Sequence, residues 1–139
     1  MIILDTNVVS EMIAAQVAEP VRAWVIAQDP DQLWLTAFTV SEMLYGIHRL
    51  DAGRRREQIE TAVIKVLFDD YGGRILPFDA EAALRHGQLR AKLRREGRPT
   101  QDSDALIAAI ALSHSATIAT RNIKHFEHCG VELIDPWSS

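Results

Sequence analysis

Asp5, Glu42 and Asp104 are the residues of this chain whose types and positions could do chemistry together. Asp5 follows the apolar run Ile2-Ile3-Leu4, and Glu42 follows a second one, Leu33-Trp34-Leu35. Asp104 opens the stretch Ala105 to Leu112, which is apolar all round, as in a helix buried on most sides. Converging carboxylates repel: at about 4 Å and an effective dielectric near 20, each pair costs roughly 4 kcal/mol. Three together are tolerated if protonated, paired with Lys or Arg, or bound to a cation. An oxygen-only ligand set favours Mg²⁺ or Mn²⁺ over zinc. Such a set suits metal-assisted phosphodiester hydrolysis, in which the cation lowers the pKa of a bound water and offsets charge on the phosphate. Plainer uses exist for each acid. Asp5 can be a helix N-cap, Glu42 a surface acid in a first helical turn, and Asp102 a cap or loop acid. Asp104 fits a plain use least well, because the helix behind it is so thoroughly apolar.

The elements that must position these acids follow from the pattern around them. Short apolar runs predict strands at Ile2–Leu4, Leu33–Leu35, Arg74–Phe78, Thr117–Thr120 and Val131–Ile134. Helices are predicted from Val8 to Ala15, from Glu19-Pro20 through Ile26, and through Leu50 after a cap at Thr39 or Ser41. That last helix places Glu42 in its first turn. A long amphipathic helix is expected from Arg54 to Tyr71, and another from Asp79 to the break at Gly97-Arg98-Pro99. The helix led by Asp104 ends near His114-Ser115, and Asn122 to His128 forms a last short one. Strands alternating with helices at this density imply an α/β fold: a three-layer α/β/α arrangement around a parallel sheet of about five strands. Residues 1–139 are read as one domain. In such a sheet, strand ends and the helix starts after them share an edge, so acids distant in sequence can meet there.

The net charge of −4 argues against a binder that relies on overall positive charge. The distribution is uneven: residues 85–98 carry Arg85, Arg90, Lys92, Arg94, Arg95 and Arg98 against Glu96, a local +5 that leaves −9 on the remainder. The single Cys129 excludes an intrachain disulfide and fits a reducing compartment. His125, His128 and Cys129 lack a further ligand pair to close a zinc tetrahedron. With no apolar run of the roughly 18 residues a span needs and no signal-peptide core, a soluble cytoplasmic protein without a membrane segment is expected.

Met1-Ile2-Ile3-Leu4-Asp5-Thr6-Asn7 resembles the opening of PIN-domain proteins, especially the VapC toxins and their FitB-like relatives. Val40-Ser41-Glu42-Met43 is similar to the second acidic motif of that family, Asp104 to Ala109 to the third, and Thr120-Arg121-Asn122 to the fourth. The ending Val131 to Trp137 is similar to its last strand and tail, so the resemblance spans nearly the whole chain. It implies a PIN-like fold and a Mg²⁺-dependent endoribonuclease, the toxin of a toxin–antitoxin pair, with Mn²⁺ as a substitute cation. Asp5, Glu42 and Asp104 would form the catalytic metal site, with Thr6 and Asn122 orienting ligands or water behind them. Asn122 stands where many members carry a fourth acid, and His125 at a position that is often acidic. The implied partners are an RNA substrate, a small DNA-binding antitoxin and a second copy of the chain, with a larger hetero-oligomer formed with the antitoxin.

Arg90, Arg94 and Arg98 are candidates for tracking the RNA backbone, because Arg90 and Arg94 share a helix face and Arg98 extends it if the helix reaches that far. A solvated helix face is the plainer alternative. Two other functions stay open: a metal-dependent phosphatase or phosphotransfer domain, and a catalytically idle PIN fold that binds RNA. Against the first, haloacid-dehalogenase phosphatases need a second acid where Asn7 stands. Retention of all three acids argues against the second.

Overall fold

The computed structural model describes residues 1–138. Five parallel strands form the sheet: β1 (Ile2–Leu4), β2 (Leu33–Thr36), β3 (Ile75–Leu76), β4 (Thr117–Ala119) and β5 (Leu133–Ile134). Their order is β3-β2-β1-β4-β5, so the chain first builds outward on one side of β1 and then crosses to the other. Seven helices connect them: α1 (Thr6–Ile13), α2 (Glu19–Ala27), α3 (Ala37–His48), α4 (Arg54–Ile64), α5 (Ala80–Arg95), α6 (Asp102–His114) and α7 (Ile123–Phe126). A 3₁₀ turn at Pro30–Gln32 leads into β2.

Alternation along the strands separates two cores, one on each face of the sheet. Ile3 and Ile118 face the core under α5 and α6, with Leu89, Leu93, Ile107, Ile110 and Phe126. Leu4, Leu33, Leu35 and Ala119 face the opposite core, with Val8, Val9, Trp24, Val63 and Leu67. Both faces are covered, which makes the three-layer α/β/α fold expected of a sheet with apolar runs. Helix α6 is buried from Ala105 through Ala111 except at Leu106, and its alanines let α5 approach closely. Among the described residues no helix is long and apolar enough to cross a membrane.

Several expected boundaries shift, each for a local reason. Helix α3 starts at Ala37 because Thr36, not Thr39 or Ser41, is its cap: Thr36 Oγ1 accepts the Thr39 N–H at 3.1 Å. Glu42 therefore lies in the second turn of α3, not the first. The expected helix from Arg54 to Tyr71 is α-helical only to Ile64, and continues as a π-helical turn over Lys65–Asp70. Gly72 follows that turn; a Cβ there would lie 2.2 Å from the Phe68 carbonyl oxygen, which accounts for the glycine. β3 stops at Leu76, before Pro77, which has no N–H to donate. Helix α5 ends at Arg95, so Arg98 lies beyond it. There Gly97, at φ 69°, turns the chain, while the Arg98 N–H donates to the Leu93 carbonyl at 2.8 Å.

Candidate active site

The sheet order reverses between β1 and β4, and in an open parallel sheet the crevice beyond the strand ends at such a point is where ligands bind. Asp5 follows β1 and Thr120 follows β4, side by side across this point. The Asp5 N–H extends the ladder to the Ala119 carbonyl at 2.9 Å. A cleft of about 290 Å³ opens there, lined by Asp5, Thr6, Asn7, Glu42, Asp104, Asn122 and His125 among others.

Asp5 is almost fully buried, at 5% exposure, and is held by three donors. Its Oδ1 accepts the Thr6 N–H at 2.8 Å. Its Oδ2 accepts the Thr120 hydroxyl at 2.7 Å and the Asn7 amide at 3.1 Å. Asp5 thus serves as the cap of α1 and faces the cleft at once. Asn7 also accepts the Arg121 N–H at 3.2 Å, and Thr120 Oγ1 the Asn122 N–H at 3.0 Å. These bonds tie α1 to the turn after β4. Thr6 reaches the other way, its hydroxyl 3.1 Å from that of the buried Thr39 on α3. Helix α1, α3 and the turn after β4 are therefore pinned to one another by hydroxyl and amide groups.

Asp104 enters from the first turn of α6 and is 9% exposed. His125 of α7 places Nδ1 3.2 Å from its Oδ2. Glu42 is on the exposed rim, projecting from α3. All three carboxyls are held above their ordinary values. Burial raises Asp5 and outweighs the lowering by Thr120, Thr6, Asn7 and His125. Burial likewise raises Asp104, against the opposing His125, with Asp5 adding repulsion. For Glu42 the causes are desolvation in the cleft, then the charges of Asp5 and Asp104. A site that holds carboxylates against their own repulsion is chemically matched to a hard divalent cation. As placed, however, no group of three or more His, Cys, Asp or Glu among the described residues forms a ready metal cage. The donors share the cleft without closing on a point.

This fold and site can be compared with known proteins. A family model described as the PIN domain matches residues 2–131. The chain belongs to the PIN domain family. Among its relatives, the "VapC ribonuclease Y4jK" of Sinorhizobium fredii is 37% identical over 99% of this chain and 98% of its own. The "Toxin FitB" of Neisseria gonorrhoeae is 35% identical over 99% of each. A solved structure of FitAB bound to the IR36 DNA fragment superposes with a TM-score of 0.92 at 36% identity, over 99% of this chain and 96% of that one. The chain is a VapC/FitB-like PIN protein.

Within this PIN domain, the cleft brings together all five residues that the sequence suggested for its centre: Asp5, Thr6, Glu42, Asp104 and Asn122. The basic candidates lie outside it. Arg90 stands 3.6 Å from Asp102, which is an exposed first-turn acid. Arg94 lines a neighbouring cavity, and Arg98 Nη1 is 2.8 Å from His128 Nδ1. Sequence reasoning gave no site role to Asn7, Thr120 or His125 as partners of the acids. Asn7 and Thr120 are separated from one another by more than a hundred residues, and only the β1–β4 pairing brings them together.

Proposed function

We propose that this PIN protein is a Mg²⁺-dependent endoribonuclease, with Mn²⁺ as a working substitute, and the toxin of a toxin–antitoxin pair. The observation that carries this reading is the meeting of Asp5, Glu42 and Asp104 in one cleft, every one of them raised above its ordinary pKa. Asp5 and Asp104, with Glu42, would hold the cation. When bound, the cation supplies a lowered water pKa and neutralisation of charge at the phosphate. Thr120, Asn7 and the Thr6 N–H hold the Asp5 carboxylate in one orientation, as supporting partners of a ligand do. His125 does the same for Asp104.

Glu42 is the carboxylate with access to solvent, so besides completing the cation's shell it is placed to take a proton from a water at the cleft. Water attacks phosphorus and yields its proton to Glu42; the P–O3′ bond breaks, and the leaving 3′-oxygen takes a proton from solvent at the open cleft. The products carry a 5′-phosphate and a 3′-hydroxyl, because the ribose 2′-hydroxyl is not the nucleophile. Sequencing the RNA ends after cleavage tests this directly. Ligatable 5′-phosphates are expected, and 2′,3′-cyclic phosphates would overturn the mechanism.

The toxin role rests on relatives named as toxin and as VapC ribonuclease, and on a neighbour solved as FitAB on DNA. The partners that follow are a small DNA-binding antitoxin and a second copy of the chain. Apolar side chains left exposed on α3, the π-helical turn and α5, such as Tyr45, Phe68 and Leu84, supply surface for such contacts. Induced expression should arrest growth, and co-expression of the adjacent gene's product should relieve it. Arrest that this product does not relieve would count against the pairing.

A further inference from the structure

The acid cleft does not stand alone. A second cavity of about 250 Å³ adjoins it, sharing Gln101, Asp104 and His125 as lining residues. A third, of about 460 Å³, adjoins the second through Leu93, Pro99 and Thr100. The three adjoin in series as a segmented trough, from the acids, past the turn between α5 and α6, to the exposed flank of α5. Its electrostatic sign reverses along the way. The first part is lined by Asp5, Glu42 and Asp104; in the second Arg98 and Lys124 outnumber Asp104, and in the third Arg90 and Arg94 outnumber Asp102.

The cations nearest the acids are available to a ligand. Among the described residues, neither Lys124 nor Arg98 nor Arg94 has a carboxylate within salt-bridge distance. Arg90 does, in Asp102. The guanidinium of Arg98 is oriented by a ring that leaves its charge intact. It donates to His128 Nδ1, while His128 Nε2 is 3.4 Å from Glu127. Its backbone is fixed by the turn that ends α5, and Thr100 secures that turn to α7 by donating to the His125 carbonyl at 3.2 Å. Arg98 and Lys124, though 26 positions apart in sequence, are thereby set against one cavity beside Asp104.

We infer that the Arg98–Lys124 cavity is an anion subsite that takes the phosphodiester flanking the one at the acids, so that single-stranded RNA runs along the trough toward Arg94. This rests on the nuclease reading of the acid cleft and adds to it a location and direction for the substrate strand. A trough that is negative at its catalytic end repels a polyanion, so a cation pair one step away is where backbone charge is first offset. The geometry also divides the basic cluster: Arg90 is engaged with Asp102, and the cation that joins Arg94 and Arg98 comes from α7.

The test is equilibrium binding of a labelled single-stranded RNA pool in EDTA, where no cation-dependent cleavage occurs, over a series of salt concentrations. Arg98→Gln with Lys124→Gln should reduce the log–log salt slope by about 0.7, the value for one lost single-strand phosphate contact, and weaken binding roughly fivefold at about 0.1 M salt. Arg98→Lys with Lys124→Arg keeps the charges and should restore both. Arg54→Gln with Arg55→Gln, which removes equal charge from the start of α4, should change little. Equal losses in the two Gln pairs would reduce the effect to net charge and overturn the subsite. No salt-dependent binding by the unaltered protein would also overturn it, leaving the cavity to an acidic protein segment. Absence of RNA cleavage with Mg²⁺ or Mn²⁺, with the binding differences intact, would instead refute the nuclease reading alone.

Discussion

Thr120→Val removes one hydroxyl and little else, and its consequences can be worked from the contacts that hydroxyl makes. Thr120 is fully buried and its shape is nearly that of valine. Its Oγ1 donates to Asp5 Oδ2 at 2.7 Å and accepts from the Asn122 N–H at 3.0 Å and the Asn7 amide at 3.4 Å. A hydrogen bond to a charged group contributes about 1.5–3 kcal/mol, and the stranded donors add cost. At roughly 3 °C per kcal/mol for a chain of this length, the melting temperature should fall by about 5–10 °C. Thr120 is also the chief hydrogen-bonding influence holding the Asp5 pKa down, so its loss should raise that pKa further. Cation affinity should then fall about 10- to 100-fold, as for loss of other supporting partners of a ligand. Thermal melts with and without Mg²⁺, together with calorimetric Mg²⁺ titration, measure both effects. A loss under about 0.5 kcal/mol with unchanged cation affinity would refute the role given to this hydroxyl.

Asp104→Asn should reduce RNA cleavage by more than the roughly 10- to 100-fold typical of a supporting residue. It should leave the fold intact and raise its stability in the absence of cation, since an acid held above its ordinary pKa by burial destabilises the ionised protein. Activity assays beside denaturant melts check both; an unfolded variant would mean that Asp104 is structural. The same raised values fix a pH dependence. Native Asp5, Glu42 and Asp104 take up protons before the unfolded chain does, so without cation these groups favour folding as pH falls toward 3.8–4.5 and oppose it as pH rises. Melts in EDTA from about pH 4 upward should show the unaltered protein losing stability relative to Asp104→Asn as pH increases; the opposite slope would contradict the assignment. Gly72→Ala should cost about 1–3 kcal/mol, because the new methyl meets the Phe68 carbonyl and the π-helical turn must shift. Unchanged denaturant midpoints would show that the turn relaxes freely.

Much of the architecture was legible because short apolar runs ending in Asp, Thr or Ser mark strand ends in a parallel sheet. Asp5 could be placed at such an end from Ile2-Ile3-Leu4 alone, and α6 could be read as buried because no face of it is polar. The sequence pattern puts Glu42 in the first turn of α3, and the structure puts it in the second. Three hydroxyl residues, Thr36, Thr39 and Ser41, could each cap α3, and the choice fell to Thr36 because its backbone is still extended as β2 ends. Thr39 is instead buried, bonded to Thr6. The π-helical turn has no compositional signature, since Ile59, Val63, Val66 and Leu67 are spaced as on an ordinary amphipathic helix and all face one core. The clamp on Asp5 was hidden for a different reason. Asn7 reads locally as a cap residue and Thr120 as the end of a strand, and their joint role exists only once β1 and β4 pair. Arg98 would extend the face of Arg90 and Arg94 only if the helix reached it; α5 ends at Arg95, and the turn at Gly97 carries Arg98 toward His128.

The claim on which the rest depends is that these three carboxylates work through a divalent cation. It is tested most directly by RNA cleavage by the purified protein in EDTA, followed by re-addition of Mg²⁺ or Mn²⁺, with the Asp5→Asn and Asp104→Asn variants prepared identically to exclude contaminating nuclease. A cation-dependent site gives no cleavage in EDTA, recovery on adding either cation, and no recovery in the variants. Full cleavage in EDTA that the variants lack would contradict it, because the same carboxylates would then be cutting RNA without a cation.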